Sequence, residues 1–366
     1  MKPDFFSSDY AEARGRFVEA ARAIGGRIES HAIDASDGEE LSIDIAQVGG
    51  EDLPCLLVSS GVHGVEGFMG AAIQLAFLDQ LRREAMPDGV RFVLIHGVNP
   101  YGFATLRRFN EDNVDLNRNF LYGGTDYQGA PDGYAEQDAY LNPKSPPARF
   151  EPYKLKTLWN IRRNGLHNLK QAVAGGQYEY PDGLFFGGRG PSRSAQIVFE
   201  HCEAWIGGAR QVIHLDFHSG LGSFAKYKLL LSSARDSPEF DWFEKVFGAD
   251  RVEAFAAELD GTAYQASGLF DEWMQEHFRS RGCDYRAACA EFGTYDVIRV
   301  LGSIRAENRA HHYGEKGSRA YESAKRELLE CFCPEDPAWR EEVLASGLNL
   351  LAQSIAALRA LDREQR

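Results

Sequence analysis

Short apolar runs closed by Gly, Asn, Ser or Asp recur along this chain, and several lead into stretches whose apolar residues return at helical spacing. Residues 8–24 read as an amphipathic helix. Two segments of β character follow, Arg27 to Ile33 and Leu41 to Val48, and are expected to form an antiparallel edge. The run Leu53-Pro54-Cys55-Leu56-Leu57-Val58 predicts a buried strand, followed by a polar loop and a helix from about Gly67 to Arg83. The same grammar returns at Val90 to His96, Gln211 to Phe217, Tyr227 to Ser232 and Tyr285 to Glu291. The expected fold is α/β: a twisted sheet of parallel and antiparallel strands with helices on both faces. Residues 122–193 differ in texture, rich in Gly, Pro, Tyr and Asp, with one helical piece near Pro152 to Ala174. They are expected to be an insertion within a single domain spanning residues 1–366. Residues 337–361 predict a closing helix.

In open α/β sheets ligands sit beyond the carboxyl ends of the strands, which gives weight to His63, Asn99, His218 and Glu291, each just past an apolar run. Composition narrows the partners. A formal net charge of −14 over 366 residues disfavours nucleic acid and anionic membrane surfaces. Six cysteines without zinc-ribbon or thioredoxin spacing read as reduced thiols. The first residues lack the apolar core of a signal peptide, and no run of about 18 apolar residues is expected to span a bilayer, so the cytoplasm is the expected compartment.

The chemistry begins in Ser59-Ser60-Gly61-Val62-His63-Gly64-Val65-Glu66-Gly67. His63 and Glu66 bring an imidazole and a carboxylate within reach of one cation, and a catalytic zinc needs a third protein ligand plus an open position. Taken alone, such a pair is more often a loop histidine and a surface glutamate. Downstream, Arg107-Arg108-Phe109-Asn110-Glu111-Asp112-Asn113-Val114-Asp115-Leu116-Asn117-Arg118 crowds arginines and amides into one loop. That loop fits a solvated turn, or an anion site in which Asn117 and Arg118 offer donors to a carboxylate and Arg108 faces an oxyanion.

Asn99-Pro100-Tyr101-Gly102 with Val114-Asp115-Leu116-Asn117-Arg118-Asn119-Phe120, downstream of His-x-x-Glu, resembles the zinc metallocarboxypeptidase family of carboxypeptidase A type, in a DUF2817-like branch. Three later segments add to the resemblance: His214-Leu215-Asp216-Phe217-His218-Ser219-Gly220, Tyr264-Gln265-Ala266-Ser267-Gly268, and Ala290-Glu291-Phe292-Gly293. The resemblance implies one zinc ion held by His63, Glu66 and His218, with Asp115 orienting His63. It implies Glu291 as the base acting on water, Arg108 beside the oxyanion, and Asn117, Arg118 and Tyr264 on the substrate's terminal carboxylate. His214 lies on the same face of a strand as His218 but about 13 Å away at strand rise, so both cannot bind one ion.

By position in the same pattern, Asp271 falls in the specificity pocket and suggests a basic terminal side chain. The interval from Arg118 to His218 is longer than in compact members of that family, and an insertion there would narrow the cleft. The expected substrate is a peptide or small amide with a free carboxylate, cut at its C-terminal bond. The alternative is a zinc amidohydrolase of N-acyl amino acids, against which the Tyr-Gln-Ala-Ser-Gly loop argues. A third reading, an inactive binding protein on the same fold, would ordinarily have lost a ligand or the base. The motifs specify neither the peptide nor the oligomeric state.

Overall fold

The computed structural model describes residues 4–33, 40–84, 86–123, 125–148, 151–164, 175–255 and 267–365. Helix α1 (Tyr10–Ala23) is N-capped by Asp9, whose side chain accepts from Glu12 N, and buries Tyr10, Ala13, Phe17 and Ala21 at helical spacing. The strands are β1 (Arg27–Ile33), β2 (Leu41–Val48), β3 (Cys55–Ser60), β4 (Arg91–His96), β5 (Gln211–Gly220), β6 (Tyr227–Leu231), β7 (Val252–Ala254) and β8 (Asp284–Gly293). They form one sheet in the order β1-β2-β4-β3-β5-β8-β6-β7. The central strands β4, β3, β5 and β8 run parallel, while β1 and β2 on one side and β6 against β8 on the other are antiparallel. Strands β3, β4 and β5 are buried along their whole length, as near-continuous apolar runs require.

Helix α2 (Gly67–Arg83) packs on the sheet, and Gln74 inside it donates to the carbonyls of Val58 and Ile95, tying helix to strands. The further helices are α3 (Pro100–Ala104), α4 (Tyr134–Leu141), α5 (Tyr153–Asn164), α6 (Arg193–Ile206), α7 (Pro238–Phe247), α8 (Phe270–Arg279), α9 (Val297–Tyr313), α10 (Arg319–Phe332) and α11 (Pro337–Gln365). Of the helical piece expected near Pro152 to Ala174, α5 is present and residues 165–174 lie outside the described residues; α4 precedes it. All six cysteines are free thiols.

One expectation is corrected. Pro337–Arg363 within α11 is long and apolar enough to cross a bilayer by length and composition, with a mean hydropathy of 1.3 over its most apolar window. Scattered Ser, Asn and Gln residues break the run and hide that average in the sequence. Here α11 lies against α2, β3 and β5 and buries Trp339, Val343, Leu350, Leu351 and Leu358, the pattern of a core helix.

Candidate metal centre and cavity

The loop after β3 turns at Gly61, whose φ of +72° and approach to Gly97 Cα leave no room for a side chain. Gly64 is tighter still: a Cβ there would lie 2.1 Å from the carbonyl carbon of Gly102. The loop is thereby pressed onto α3, and backbone bonds from Gly64 N to Arg108 O (3.2 Å) and from Val65 N to Arg107 O (2.8 Å) fasten it to the arginine segment. Asn99 holds the same junction, accepting from Gly102 N and donating to Arg108 O.

This wiring aims His63 and Glu66 at His218 on β5. His63 Nδ1 lies 2.8 Å from Glu66 Oε1, and His218 Nδ1 lies 3.2 Å from His63 Nδ1 and 3.1 Å from Glu66 Oε2. All three side chains are buried. Donors bound tetrahedrally at ~2.0–2.1 Å are separated from each other by ~3.3 Å, so these contacts are close to the edges of a zinc site. The opposite ring nitrogens are spoken for: His63 Nε2 is 3.1 Å from Asp115 Oδ1, and His218 Nε2 is 2.6 Å from Asp216 Oδ2. The Asp216 carboxylate fixes the Nε2–H tautomer of His218 and leaves its Nδ1 lone pair facing the shared point, while His63 Nε2 stands between Asp115 and the Arg108 guanidinium. Ser219 N also donates to Glu66 Oε2 at 3.0 Å.

Charge points the same way. Four carboxylates, Glu66, Asp115, Asp216 and Glu291, are buried here with two guanidiniums, Arg108 and Arg118. With both imidazoles neutral, as ligation of a cation would require, that leaves the charge one divalent cation would cancel. Burial alone would lower the proton affinity of His218, but Asp216 and Glu66 outweigh it and raise its pKa well above the ordinary value. Asp115 is displaced the other way: burial opposes ionisation, yet Arg108 and His63 hold it well below the usual carboxylate range.

Glu291 ends β8 directly opposite His218 in register. Its Oε1 accepts from Leu221 N at 2.8 Å, and its side chain lines the cavity with the three donors. Burial and repulsion from Glu66 raise its pKa. Arg108 is turned back onto the cluster, donating to Asp115 Oδ2 (2.9 Å) and Glu66 Oε1 (3.3 Å), with Nη2 2.6 Å from His63 Nε2.

His63, Glu66, His218 and Glu291 thus occupy one cavity of about 310 Å³, within the range of small-molecule sites. A family match spans almost the whole chain, residues 6–346, to a family described as a protein of unknown function, DUF2817. The chain belongs to the DUF2817 family. No curated protein matches it. Among solved structures it is similar to a candidate metallopeptidase from Shewanella amazonensis, at 18% identity over 89% of this chain and 94% of that one, TM-score 0.44. It is also similar to carboxypeptidase A from Helicoverpa armigera, at 13% identity over 88% and 73%, TM-score 0.48. A candidate succinylglutamate desuccinylase/aspartoacylase family protein from Shewanella amazonensis matches at 17% identity over 78% and 71%, TM-score 0.38.

The remaining expected residues fall as follows. Asn117 and Arg118 line the cavity, in a turn capped by Asp115, and Asn117 Oδ1 accepts from Phe270 N at 2.9 Å. Asp271 is buried in the first turn of α8 and is not among the cavity's lining residues; its carboxylate accepts from Glu272 N. Burial, then repulsion from Asp216, pushes its pKa up to about 7. Tyr264 lies outside the described residues. His214 is fully buried, 2.8 Å from Ser59 Oγ and 3.1 Å from the Tyr285 hydroxyl, and its pKa is pushed down to about 4 by burial.

Sequence reasoning passed over Asp216, although the strand's period of two already set it on the His218 face. It also passed over Phe185, Leu301 and Phe332, which line the cavity.

Proposed function

We propose that the chain is a zinc-dependent metallocarboxypeptidase that hydrolyses the C-terminal peptide bond of a small peptide. The observation that carries this is the convergence of His63 Nδ1, His218 Nδ1 and the Glu66 carboxylate, with Glu291 beside them. A zinc ion held by these three residues would polarise the scissile carbonyl and acidify water.

The chain's own groups supply the rest. Glu291, whose raised pKa suits a group that takes up and returns a proton near neutrality, would accept the proton of the attacking water and deliver it to the leaving nitrogen. Leu221 N–H would hold the Glu291 carboxylate in place. Arg108 would swing from Glu66 toward the developing oxyanion once a cation takes over that oxygen. Asn117 and Arg118, with Tyr264, would bind the terminal carboxylate. Asp115 and Asp216 would keep the imidazoles in their binding tautomer.

The leaving side chain would lie against Leu230, Phe255, Leu269 and Cys289, an apolar wall that suits an apolar terminus. Selection of a basic terminus by Asp271 would require its carboxylate to reach the cavity. We read residues 1–366 as one catalytic domain, in which an insertion at about 122–193 brings Phe185 to the site. A second reading, hydrolysis of N-acyl amino acids, is favoured by the small size of the cavity.

The test is a panel of dipeptides, tripeptides and N-acyl amino acids given to zinc-loaded protein, each with a free or an amidated C-terminus. Turnover confined to free carboxylates is expected. Equal turnover of the amides would remove the assigned role of Asn117 and Arg118.

A further inference from the structure

The cavity has two apolar walls, and they belong to separate packed clusters. One is the four-residue cluster Leu230, Phe255, Leu269 and Cys289. It adjoins the carboxylate-binding turn, since Asn117 Oδ1 accepts from the amide next to Leu269 and Cys289 lies two residues before Glu291 on β8. The other wall, Phe185, Val300, Leu301, Ile304 and Phe332, is part of a larger cluster built from the 122–193 segment, α9 and α10. His63, Glu66, His218 and Glu291 line the same cavity.

We propose that the second wall is an acyl-side pocket, and that the substrate carries a bulky apolar group on the carbonyl side of the scissile bond. This rests on the function proposed above, which places the leaving residue against the first wall.

Val297, Val300, Leu301 and Ile304 stand at i, i+3, i+4 and i+7, one stripe along the first two turns of α9. Their exposure grades from 61% at Val297 through 4% and 8% to 4% at Ile304, so the stripe leads from the rim into the cavity. At the rise of a helix it is ~10 Å long, room for an acyl chain of several carbons or an aromatic side chain. Phe185 lines the same cavity, with its ring 5.6 Å from the Arg108 guanidinium carbon. It is held at φ +59°, a conformation rare for a bulky residue. Asp296, the carboxylate at the rim, is engaged in capping α9 through Arg299 N at 3.1 Å. This arm therefore offers apolar contact and little to pair with a polar acyl group, which would lose its hydration on entering.

The experiment uses zinc-loaded full-length protein and one leaving residue, leucine, bearing acetyl, butyryl, hexanoyl, octanoyl or succinyl groups. Each methylene buried in the arm should raise kcat/KM about threefold to fourfold, giving hexanoyl at least a ~10-fold advantage over acetyl, with succinyl slowest. Val297→Asp, at an exposed position where an acid favours the helix start, should collapse the hexanoyl-to-acetyl ratio toward one. Leu301→Ala should shift the preferred chain length while melting temperature and zinc content report that the protein is folded and loaded. Rates indifferent to chain length, or highest with acetyl or succinyl, would overturn the proposal. If no amide in the panel is cut, the proposed function fails, and the arm is still read by calorimetric titration of free octanoate against acetate. Octanoate should then bind at least ~10-fold tighter, and equal affinities would dispose of the arm.

Discussion

Arg107 and Arg108 are neighbours in the chain, yet they end in buried charge clusters of opposite kind. Arg107 donates through Nε to Glu307 (2.9 Å) and through Nη2 to Asn113 (2.8 Å) and Asn308 (3.0 Å), while Lys325 donates to the same Glu307 oxygen at 2.6 Å and to Thr105 O at 2.8 Å. Two cations meet one carboxylate and two side-chain amides there, and the cluster ties the loop after α3 to α9 and α10. Burial opposes ionisation of Glu307, but Arg107 and Lys325 keep its pKa lowered. Around Arg108, acceptors crowd together instead: two imidazole nitrogens and a carboxylate face one point, backed by further carboxylates. Around Arg107 two cations and side-chain amides are matched to one shared carboxylate and tie the fold together; around Arg108 the excess lies with the acceptors, a donor set that a bound cation would balance.

The largest effect that would break this contrast is on turnover. Glu291→Gln should keep zinc content and melting temperature while lowering kcat by about 100- to 10,000-fold, the usual contribution of a general base. Full activity in a zinc-loaded Glu291→Gln protein would remove the base from this account. Next comes the Arg107 cluster: Glu307→Ala strands Arg107 and Lys325 in the interior and should cost ~3–5 kcal/mol in denaturant unfolding, with the zinc stoichiometry of the folded protein unchanged. A loss of zinc in that variant would mean that the two clusters are one.

Smaller is the effect of Asp216→Asn, which leaves His218 without its carboxylate partner and should weaken zinc affinity ~10- to 100-fold in a competition titration. The smallest is on stability against pH. Asp271 binds its proton more tightly folded, at about 7, than an ordinary aspartate does at 3.8, so its contribution is present at low pH and is lost as pH rises through 7. Asp271→Asn should therefore gain on the wild type by ~1–3 kcal/mol between pH 5 and pH 8 in unfolding measured without metal. A constant difference across that range would show that Asp271 ionises without cost.

Much of this was legible because the central strands are buried on both faces and read as unbroken apolar runs. Their polar successors His63, His218 and Glu291 stand where the strand ends predict. The order of motifs brought in Arg108, Asn117 and Arg118, which line the cavity, and Asp115, which bonds His63 and Arg108 behind it. Asp216 went unassigned, with its alternation plain, because an aspartate inside an apolar strand has meaning only once its neighbour's role is known. The acyl-side wall was not legible. Phe185, Leu301 and Phe332 come from three distant segments, and only packing reveals that they face one space. The apolar stripe of α9 is visible at helical spacing, but spacing cannot separate a residue facing the core from one facing a cavity. Asp271 was placed by register alone, and it is not among the lining residues.

The most direct test is a calorimetric zinc titration of the wild type, Glu66→Ala, His218→Ala and His214→Asn proteins, each checked for folding. The account predicts one zinc per chain in the wild type and in His214→Asn, and none bound tightly in Glu66→Ala or His218→Ala. Tight zinc binding that survives loss of Glu66 and His218, or that fails with His214, would contradict it.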